Sequence, residues 1–327
     1  MSEDDFLLED RPRQGRLGRL GSRFAGRTLA VLGGLILAAL LLYYPIGMLL
    51  IDRIDDDPNF EVADVPEGAS HAVALAAALI DREVGEHGWP ANDPFFMPGW
   101  ALDNMPNYQQ GILAALSRFA IEMTDQIGRT RGTSQADPDL DKATGLLRYS
   151  GTVWIFDFST SWAPTASSEQ QYLSAARALR SFNDRLARGQ ATFERRSDNL
   201  LAALDRIAAD LGSASGISER QIFDHSGALL DFHADDVFYA NKGRLYAYGL
   251  LLRELGKDFD PVIKERDLGP VWQQMLGTFG EAAALQPWVV VNGAPDSQFL
   301  PSHLAAQGFF LLRARTQLRE ITNILQK

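Results

Sequence analysis

Residues 168–211 read SEQQYLSAARALRSFNDRLARGQATFERRSDNLLAALDRIAADL, and they carry the most regular pattern in the chain. Apolar residues recur there at steps of seven, at Tyr172, Leu179, Leu186, Phe193, Leu200 and Ile207. Such a heptad stripe needs a partner helix to pack against. Polar residues such as Asn183, Gln190 and Arg196 interrupt its flanks. We therefore expect one long, bent helix inside a helical bundle rather than a free dimeric coiled coil.

The sequence on both sides of this stretch is also helical in its periodicity. Apolar residues at three- and four-residue steps predict helices over 70–87, 106–130 and 237–255, a short helix from Asp137-Pro138 and a last helix from Ser302. Gly212-Ser213-Ala214-Ser215-Gly216 predicts a break, with the next helix starting at Ser218. Strand character is confined to Thr152–Phe158 and Trp288–Val291. The predicted fold class is all-α, with a multi-helix bundle over residues 69–327.

One segment near the N-terminus differs from all the others. Residues 28–51 read TLAVLGGLILAALLLYYPIGMLLI and contain no charged residue. At about 1.5 Å per helical residue, this length crosses a hydrocarbon core of about 30 Å with some tilt. The apolar run is longer than the core of a cleavable signal peptide, and no small-x-small cleavage site follows it. We interpret residues 28–51 as an uncleaved transmembrane signal anchor.

The charges flanking the span indicate its orientation. Residues 1–27 contain six arginines after five acidic residues, whereas residues 52–67 contain seven acidic residues and only Arg53. Basic residues next to a span are retained in the cytoplasm. The sequence therefore predicts a cytoplasmic tail (1–27), an inner-membrane helix (28–51), an acidic linker (52–68) and a periplasmic domain (69–327).

Small residues recur every fourth position around the span, at Gly26, Ala30, Gly34 and Ala38. A stripe of this kind lets a second membrane helix approach closely, so it is compatible with a homodimer. The general abundance of Gly and Ala in membrane helices explains it as well.

Composition excludes several classes of site. The chain has no Cys, five His and a net charge of −11, from 31 Lys and Arg against 42 Asp and Glu. Disulfides, thiolate zinc sites and iron–sulfur clusters are therefore excluded. Nucleic-acid binding is not expected, because affinity for phosphates needs clustered positive charge. The sequence has no phosphate-binding glycine loop and no nucleophile elbow, and we predict no cofactor.

The most unusual loop lies between residues 88 and 106 and holds four prolines. Its large rings are binding candidates for a sugar or a protein partner: Trp89, Phe95, Phe96 and Trp100. The same rings would equally serve to plug one end of the bundle. Asp93 and Asp103 are weak candidates for the acid pair that glycan hydrolysis uses, although both positions also suit turns and helix caps.

A second weak candidate is a metal site formed by His225, His233 and Asp235. The run Asp231-Phe232-His233-Ala234-Asp235-Asp236 supplies oxygen and nitrogen ligands, but it lacks the Gly and Glu of a calcium-binding loop. A cap at the start of the following helix, from Asp235 or Asp236, explains these residues better.

Several motifs together resemble one bacterial family. They are Leu42-Tyr43-Tyr44-Pro45-Ile46-Gly47-Met48 in the span, Asn92-Asp93-Pro94-Phe95-Phe96 and Asn104-Met105-Pro106-Asn107 in the loop, and Leu300-Pro301-Ser302-His303-Leu304 near the C-terminus. In these motifs the chain resembles an uncharacterised membrane-anchored family, domain of unknown function 2333. The resemblance implies a bacterial envelope protein and transfers no activity or site residue.

Three functions remain open at this point. The first is a non-enzymatic interaction or scaffold module with an envelope protein as its partner. The second is a protein that binds or cleaves peptidoglycan with the 88–106 loop. The third is a helical domain that binds a lipid or small ligand, which requires a large apolar cavity.

Overall fold

In the computed structural model, residues 16–127, 136–156, 162–225, 231–295 and 297–327 are described, with side chains from residue 27 onward except at 126, 127 and 232. The α-helices of this part of the chain are α1 (Arg16–Ile51), α2 (His71–Ile80), α3 (Asn104–Glu122), α4 (Pro138–Leu147), α5 (Ser168–Ala187), α6 (Ser197–His225), α7 (Phe232–Asp258), α8 (Asp260–Glu265), α9 (Gly269–Ala283) and α10 (His303–Leu325). Short π-helical turns extend α2 to Glu86 and α3 to Ile127. The all-α prediction is confirmed.

The chain divides into two units, Met1–Leu49 and Leu50–Lys327. The stretch Arg27–Ile51 of α1, which lies in the first unit up to Leu49, is long and apolar enough for a membrane span or a signal sequence, and none of its apolar window is buried in protein. Pro45 lies inside this helix.

The second unit is organised around α7, which spans about 40 Å at 1.5 Å per residue. Its closest neighbour is α3, and two glycines permit the approach. A Cβ on Gly111 would lie 2.0 Å from the carbonyl oxygen of Ala240, and one on Gly243 would lie 1.9 Å from that of Tyr108. Any larger residue at either position would push the two helices apart.

The heptad stripe belongs to two helices, so the expectation of one long helix was wrong. All six stripe residues are buried, but α5 ends at Ala187 and α6 begins at Ser197. Gly189 at φ 68° closes α5, with hydrogen bonds from Gly189 N to Leu186 O and from Gln190 N to Arg185 O. This is the Schellman arrangement that ends helices at glycine. Phe193 stays buried in the connection by packing on Phe259.

The predicted break at Gly212–Gly216 was also wrong, because α6 runs through it. Ala214 is buried, and the guanidinium of Arg315 on α10 covers Gly212. Packing along α10 outweighs the cost of about 1 kcal/mol that each glycine brings to a helix. Neither segment with strand character forms a strand in the described residues: the one bridge there joins Asn292, just after the second segment, to Ser302, and residues 157–161 lie outside the described part.

The acidic segment after the span is bonded along α7, although its sequence suggested a linker. Asp56 accepts hydrogen bonds from Lys242 Nζ and Gln286 Nε2, both at 2.7 Å. The hydroxyl of Tyr246 donates to Asp57 O, and Arg253 donates to the carbonyls of Pro58 and Phe60. We call residues 52–61 the strap. It follows α7 from the start of the helix, near Tyr239, toward its end, where Lys257 faces Glu61.

Buried polar groups hold the strap in place. The guanidinium of Arg82 donates to Asp55 O at 3.1 Å and lies 4.4 Å from the centre of the Phe60 ring. Tyr108 donates to the same Asp55 carbonyl at 2.7 Å. Lys242 is only 1% exposed, so its charge depends on Asp56 and on the carbonyl of Leu285.

Candidate functional site

The 88–106 loop is fixed to the bundle by Trp89 and Asn92. Trp89 is 4% exposed, donates its Nε1 to Gly151 O at 2.7 Å and meets the edge of Tyr172. Asn92 donates to Val153 O and to Glu169 Oε2, both at 2.8 Å. Trp89 is therefore a core residue, and only Phe95, Phe96 and Trp100 of the four aromatic candidates present exposed rings.

These contacts join the loop to the segment 150–169, which contributes further rings. Phe96 packs edge-to-face on Phe95 and on Trp154, with ring centres 5.5 and 5.7 Å apart. Trp154 continues the series to Phe156 at 5.5 Å. We call Phe95, Phe96, Trp154 and Phe156 the aromatic surface. Three of these rings are exposed and Trp154 is half-buried. Sequence analysis missed the two rings of the 150–169 segment because they are distant in the chain from the 88–106 loop.

The aromatic surface has a pair of carboxylates beside it, but not the predicted pair. Burial, and then the charge of Glu169, raise the pKa of Asp93 to about 6. A Cβ on Gly99 would lie 2.1 Å from Asp93 Oδ2, so the carboxyl group packs directly on that glycine. The charge that acts on Asp93 is that of Glu169, while Asp103 lies near Asp235 and Asp236.

Asp103 belongs to a second group, which we call the acidic cluster: Asp52, Asp103, Asp235 and Asp236. The carboxylate of Asp103 accepts a hydrogen bond from Asn104 N at the start of α3. Burial, Asp103 and Asp236 together raise the pKa of Asp235 to about 6. Asn107 donates to Asp236 at 2.6 Å. The cluster lies at the start of α7 and includes Asp52, the first residue of the strap.

The proposed metal ligands are not gathered into one site. His225 and His233 are both exposed. His233 Nδ1 lies 3.8 Å from a carboxylate oxygen of Asp236, whereas His225 interacts electrostatically with Asp231. Among the described residues, no three His, Asp or Glu side chains are placed to share a metal ion. The cap of α7 is Asp231, whose carboxylate accepts from Ala234 N at 3.2 Å, so the expected cap at Asp235 or Asp236 was wrong.

The small residues of the span are exposed on the isolated helix. Ala30 and Ala38 are exposed, and nothing lies within 4 Å of a Cβ placed on Gly34. The surroundings of Gly26 lie outside the described part. The homodimer therefore stays a prediction.

An apolar cleft of the described part lies between α7 and α9. It has a volume of about 450 Å³ and is lined by Leu250, Leu276 and Phe279, with Pro58 of the strap at its edge. Its size suits a small molecule, but no unpaired polar group marks an orientation for one.

A different exposed surface lies in the hairpin between α9 and α10, and sequence analysis missed it by treating Trp288–Val291 as a strand. Trp288 is fully exposed and Phe299 is 92% exposed. The hairpin itself is anchored by Asn292, which is buried and donates to Gln221 O and to Asp231. Prolines 287 and 301, together with Gly293, were the available signs of a turn.

Comparison with protein families matches residues 56–222, about half of the chain, to a family described as an uncharacterised protein conserved in bacteria (DUF2333). Neither the curated proteins nor the solved structures contain a match. The matched range begins in the strap and covers the aromatic surface, the carboxylates beside it and both heptad-bearing helices. The chain belongs to this bacterial family, DUF2333.

Proposed function

We propose that this protein is a single-pass bacterial inner-membrane protein whose helical domain binds an envelope protein in the periplasm. The apolar side chains of α1 from Leu29 to Leu50 are largely exposed, which suits lipid rather than water. The arginines before the span and the acidic strap after it favour a cytoplasmic N-terminus.

The observation that carries the interaction role is the aromatic surface. Exposed aromatic rings that pack on one another and are held by buried hydrogen bonds form a preorganised contact area. Trp89 and Asn92 fix the backbone beneath the rings, so little conformational entropy is lost when a partner covers them.

Site-specific photo-crosslinking tests this role. A photoreactive phenylalanine analogue replaces Phe96 in the full chain, expressed in cells of a bacterium that encodes the protein. A matched variant carries the analogue at Gln190, which is exposed beyond the end of α5. We expect a discrete protein adduct at position 96 and none at position 190. Adducts of equal intensity at both positions, or none at 96, would contradict the proposal.

A second candidate function is favoured by Asp93. A carboxyl group with a pKa of about 6 beside exposed rings and a second carboxylate is suited to proton transfer near neutral pH. The substrate class would be a peptidoglycan strand, whose sugar rings stack on aromatic side chains. The purified full chain in detergent, incubated with peptidoglycan, should then retain or cleave it, and Asp93→Asn should abolish cleavage without abolishing retention. Absence of both retention and cleavage would rule this candidate out.

A further inference from the structure

The strap brings the chain into the helical domain at one end of α7. Arg53 N donates to Met105 Sδ at 3.3 Å, which brings the start of the strap against the start of α3. Burial, and then the charge of Asp103, raise the pKa of Asp52, and both carboxylates act on Tyr239 in the first turns of α7. Asp56, four residues after Asp52 in the chain, accepts a hydrogen bond from Gln286 Nε2 at 2.7 Å. Asp52, which directly follows the span, therefore lies beside the 98–103 loop. Residues 285–287 lie near Asp56, a little further along the strap.

Four exposed apolar side chains belong to the chain segments near this entry point: Trp100, Trp288, Val289 and Phe299. We call them the entry patch. Trp100 precedes Asp103 by three residues, and Trp288 follows Gln286 by two. Phe299 lies in the hairpin that Asn292 fastens to Asp231, the cap of α7. All four thus belong to the end of the domain that the chain enters first.

The backbone under the entry patch is well anchored, although its side chains are exposed. His303 N donates to Val291 O, and Val291 N donates to His303 Nδ1. Val290, the neighbour of the exposed Val289, is buried with Phe238 and Leu304. The bulky rings are consequently held out into solvent by an ordered hairpin, which is costly in water unless another surface covers them.

We propose that the entry patch inserts into the interfacial layer of the bilayer that holds α1, so that the domain rests on the membrane by a second contact. This inference rests on the proposed membrane anchoring. Asp52 is bonded directly to the last residue of the apolar span, so the surface around it is within a few residues' reach of the headgroups. Tryptophan and phenylalanine are the side chains that favour this layer.

The charges around the entry patch specify the lipid. The acidic cluster lies at the same end and would be repelled by anionic headgroups. The described basic side chains of this end are fewer than its carboxylates: Lys242 is bonded to Asp56, Arg53 stands beside Asp52 in sequence, and the exposed Arg220 precedes Gln221, which donates to Asp231. We therefore assign a zwitterionic phospholipid surface as the binding partner of the patch.

Spin labels can test this directly, because the chain has no cysteine of its own. Single-cysteine variants of the full chain, Phe299→Cys, Gln190→Cys and Leu35→Cys, are labelled and reconstituted in phosphatidylcholine nanodiscs. Gln190 is the matched control, since α5 ends near the far end of α7, where Asn183 and Asp258 both bond Ser70. Collision rates with oxygen, which enters lipid, are compared with those of a water-soluble nickel chelate.

We expect the oxygen-to-nickel ratio to be several-fold higher at position 299 than at 190, and highest at 35. The ratio at 299 should fall toward the value at 190 when Trp100 and Trp288 are both replaced by Ser, and when phosphatidylglycerol replaces most of the phosphatidylcholine. A water-like ratio at 299 beside a lipid-like ratio at 35 would overturn the inference and leave the anchoring intact; a protein partner would then be the occupant of the patch. A water-like ratio at 35 would overturn the anchoring itself.

Discussion

The two ends of α7 differ in the partners that they give to their carboxylates, although burial raises the pKa of both Asp258 and Asp235. At the far end, Asp258 is buried and accepts hydrogen bonds from Ser70 Oγ at 2.7 Å, His71 N at 2.8 Å and Ala72 N at 3.1 Å. At the end where the chain enters, Asp235 faces the like charges of Asp103 and Asp236. Asp258 satisfies three donors at the start of α2, whereas Asp235 faces charges of its own sign.

We infer from this difference that the end of α7 at Asp258 stabilises the fold and that the end where the chain enters makes contact with another surface. The donors at Asp258 are the free N–H groups at a helix start, which a carboxylate satisfies well. The entry end instead combines like charges with exposed tryptophan and phenylalanine side chains. Features that cost stability and serve no packing are typical of surfaces retained for binding.

The largest expected effect comes from removing the far-end carboxylate. Asp258→Ala leaves three buried donors unpaired and should lower the free energy of unfolding by about 3 kcal/mol. Urea unfolding of the full chain in detergent, followed by circular dichroism, measures it. Asp260→Ala, two residues on and paired only with Lys264 on the surface, is the matched control and should stay within about 0.5 kcal/mol of the wild type. Equal losses of unfolding free energy in Asp258→Ala and Asp260→Ala would contradict the structural role assigned to Asp258.

The strap should show the next largest effect. Lys242→Ala removes the partner of Asp56 and of the Leu285 carbonyl, and we expect a loss of about 2 kcal/mol. Asp56→Ala leaves the buried ammonium without its counter-ion and should cost a similar amount. In a double-mutant cycle the two losses should be clearly less than additive. Strict additivity would mean that the strap does not depend on this pair.

A gain of stability is expected at the entry end. The folded-state pKa of Asp235, about 6, lies above its ordinary value of 3.8, so folding favours the protonated carboxyl. The loss of stability caused by the ionised carboxylate is complete above pH 6, and it is relieved as the pH falls from 7 toward 4. Asp235→Asn should therefore raise the free energy of unfolding at pH 7 by about 1 kcal/mol after solvent screening, and flatten its pH dependence.

The control for this change is Asp205→Asn, at an exposed position in the middle of α6, away from both helix ends. It should leave both the stability at pH 7 and the slope between pH 4 and 7 unchanged. Destabilisation by Asp235→Asn at pH 7 would show that the acidic cluster has a stabilising role.

The smallest effect is expected in the entry patch itself. Trp288→Ser and Phe299→Ser remove side chains that bury almost nothing in the domain, so each should change the free energy of unfolding in detergent by less than about 0.5 kcal/mol. A loss of several times that amount would mean that these rings support the fold.

Local signals in the sequence predicted much of the helical architecture. Ser70, Asp137 and Ser302 each cap the expected helix, because a cap depends on the three residues that follow it. The division between α5 and α6 was missed although Gly189 marks it. The heptad register continues across the gap, since Phe193 is buried by Phe259, which is distant in the chain.

The candidate site was less predictable, because exposure depends on distant contacts. Trp89 and Trp100 lie in the same loop with similar neighbours, yet only Trp89 finds an acceptor at Gly151. Asp93 meets Glu169 rather than Asp103, because Asn92 ties the loop to the start of α5. Likewise, the acidic composition of residues 52–68 suggested a linker, and the partners that bind it, such as Lys242, lie almost 200 residues away.

Hydrogen–deuterium exchange of the full chain in phosphatidylcholine nanodiscs tests the contrast between the two ends most directly. The wild type is compared with the triple variant Trp100→Ser, Trp288→Ser, Phe299→Ser. We predict faster exchange in the variant at residues 98–103 and 286–301, with unchanged exchange at residues 68–72 and 188–196. Identical exchange of the two proteins at the entry end, or an equal increase at both ends, would contradict the assignment of one end to contact and the other to stability.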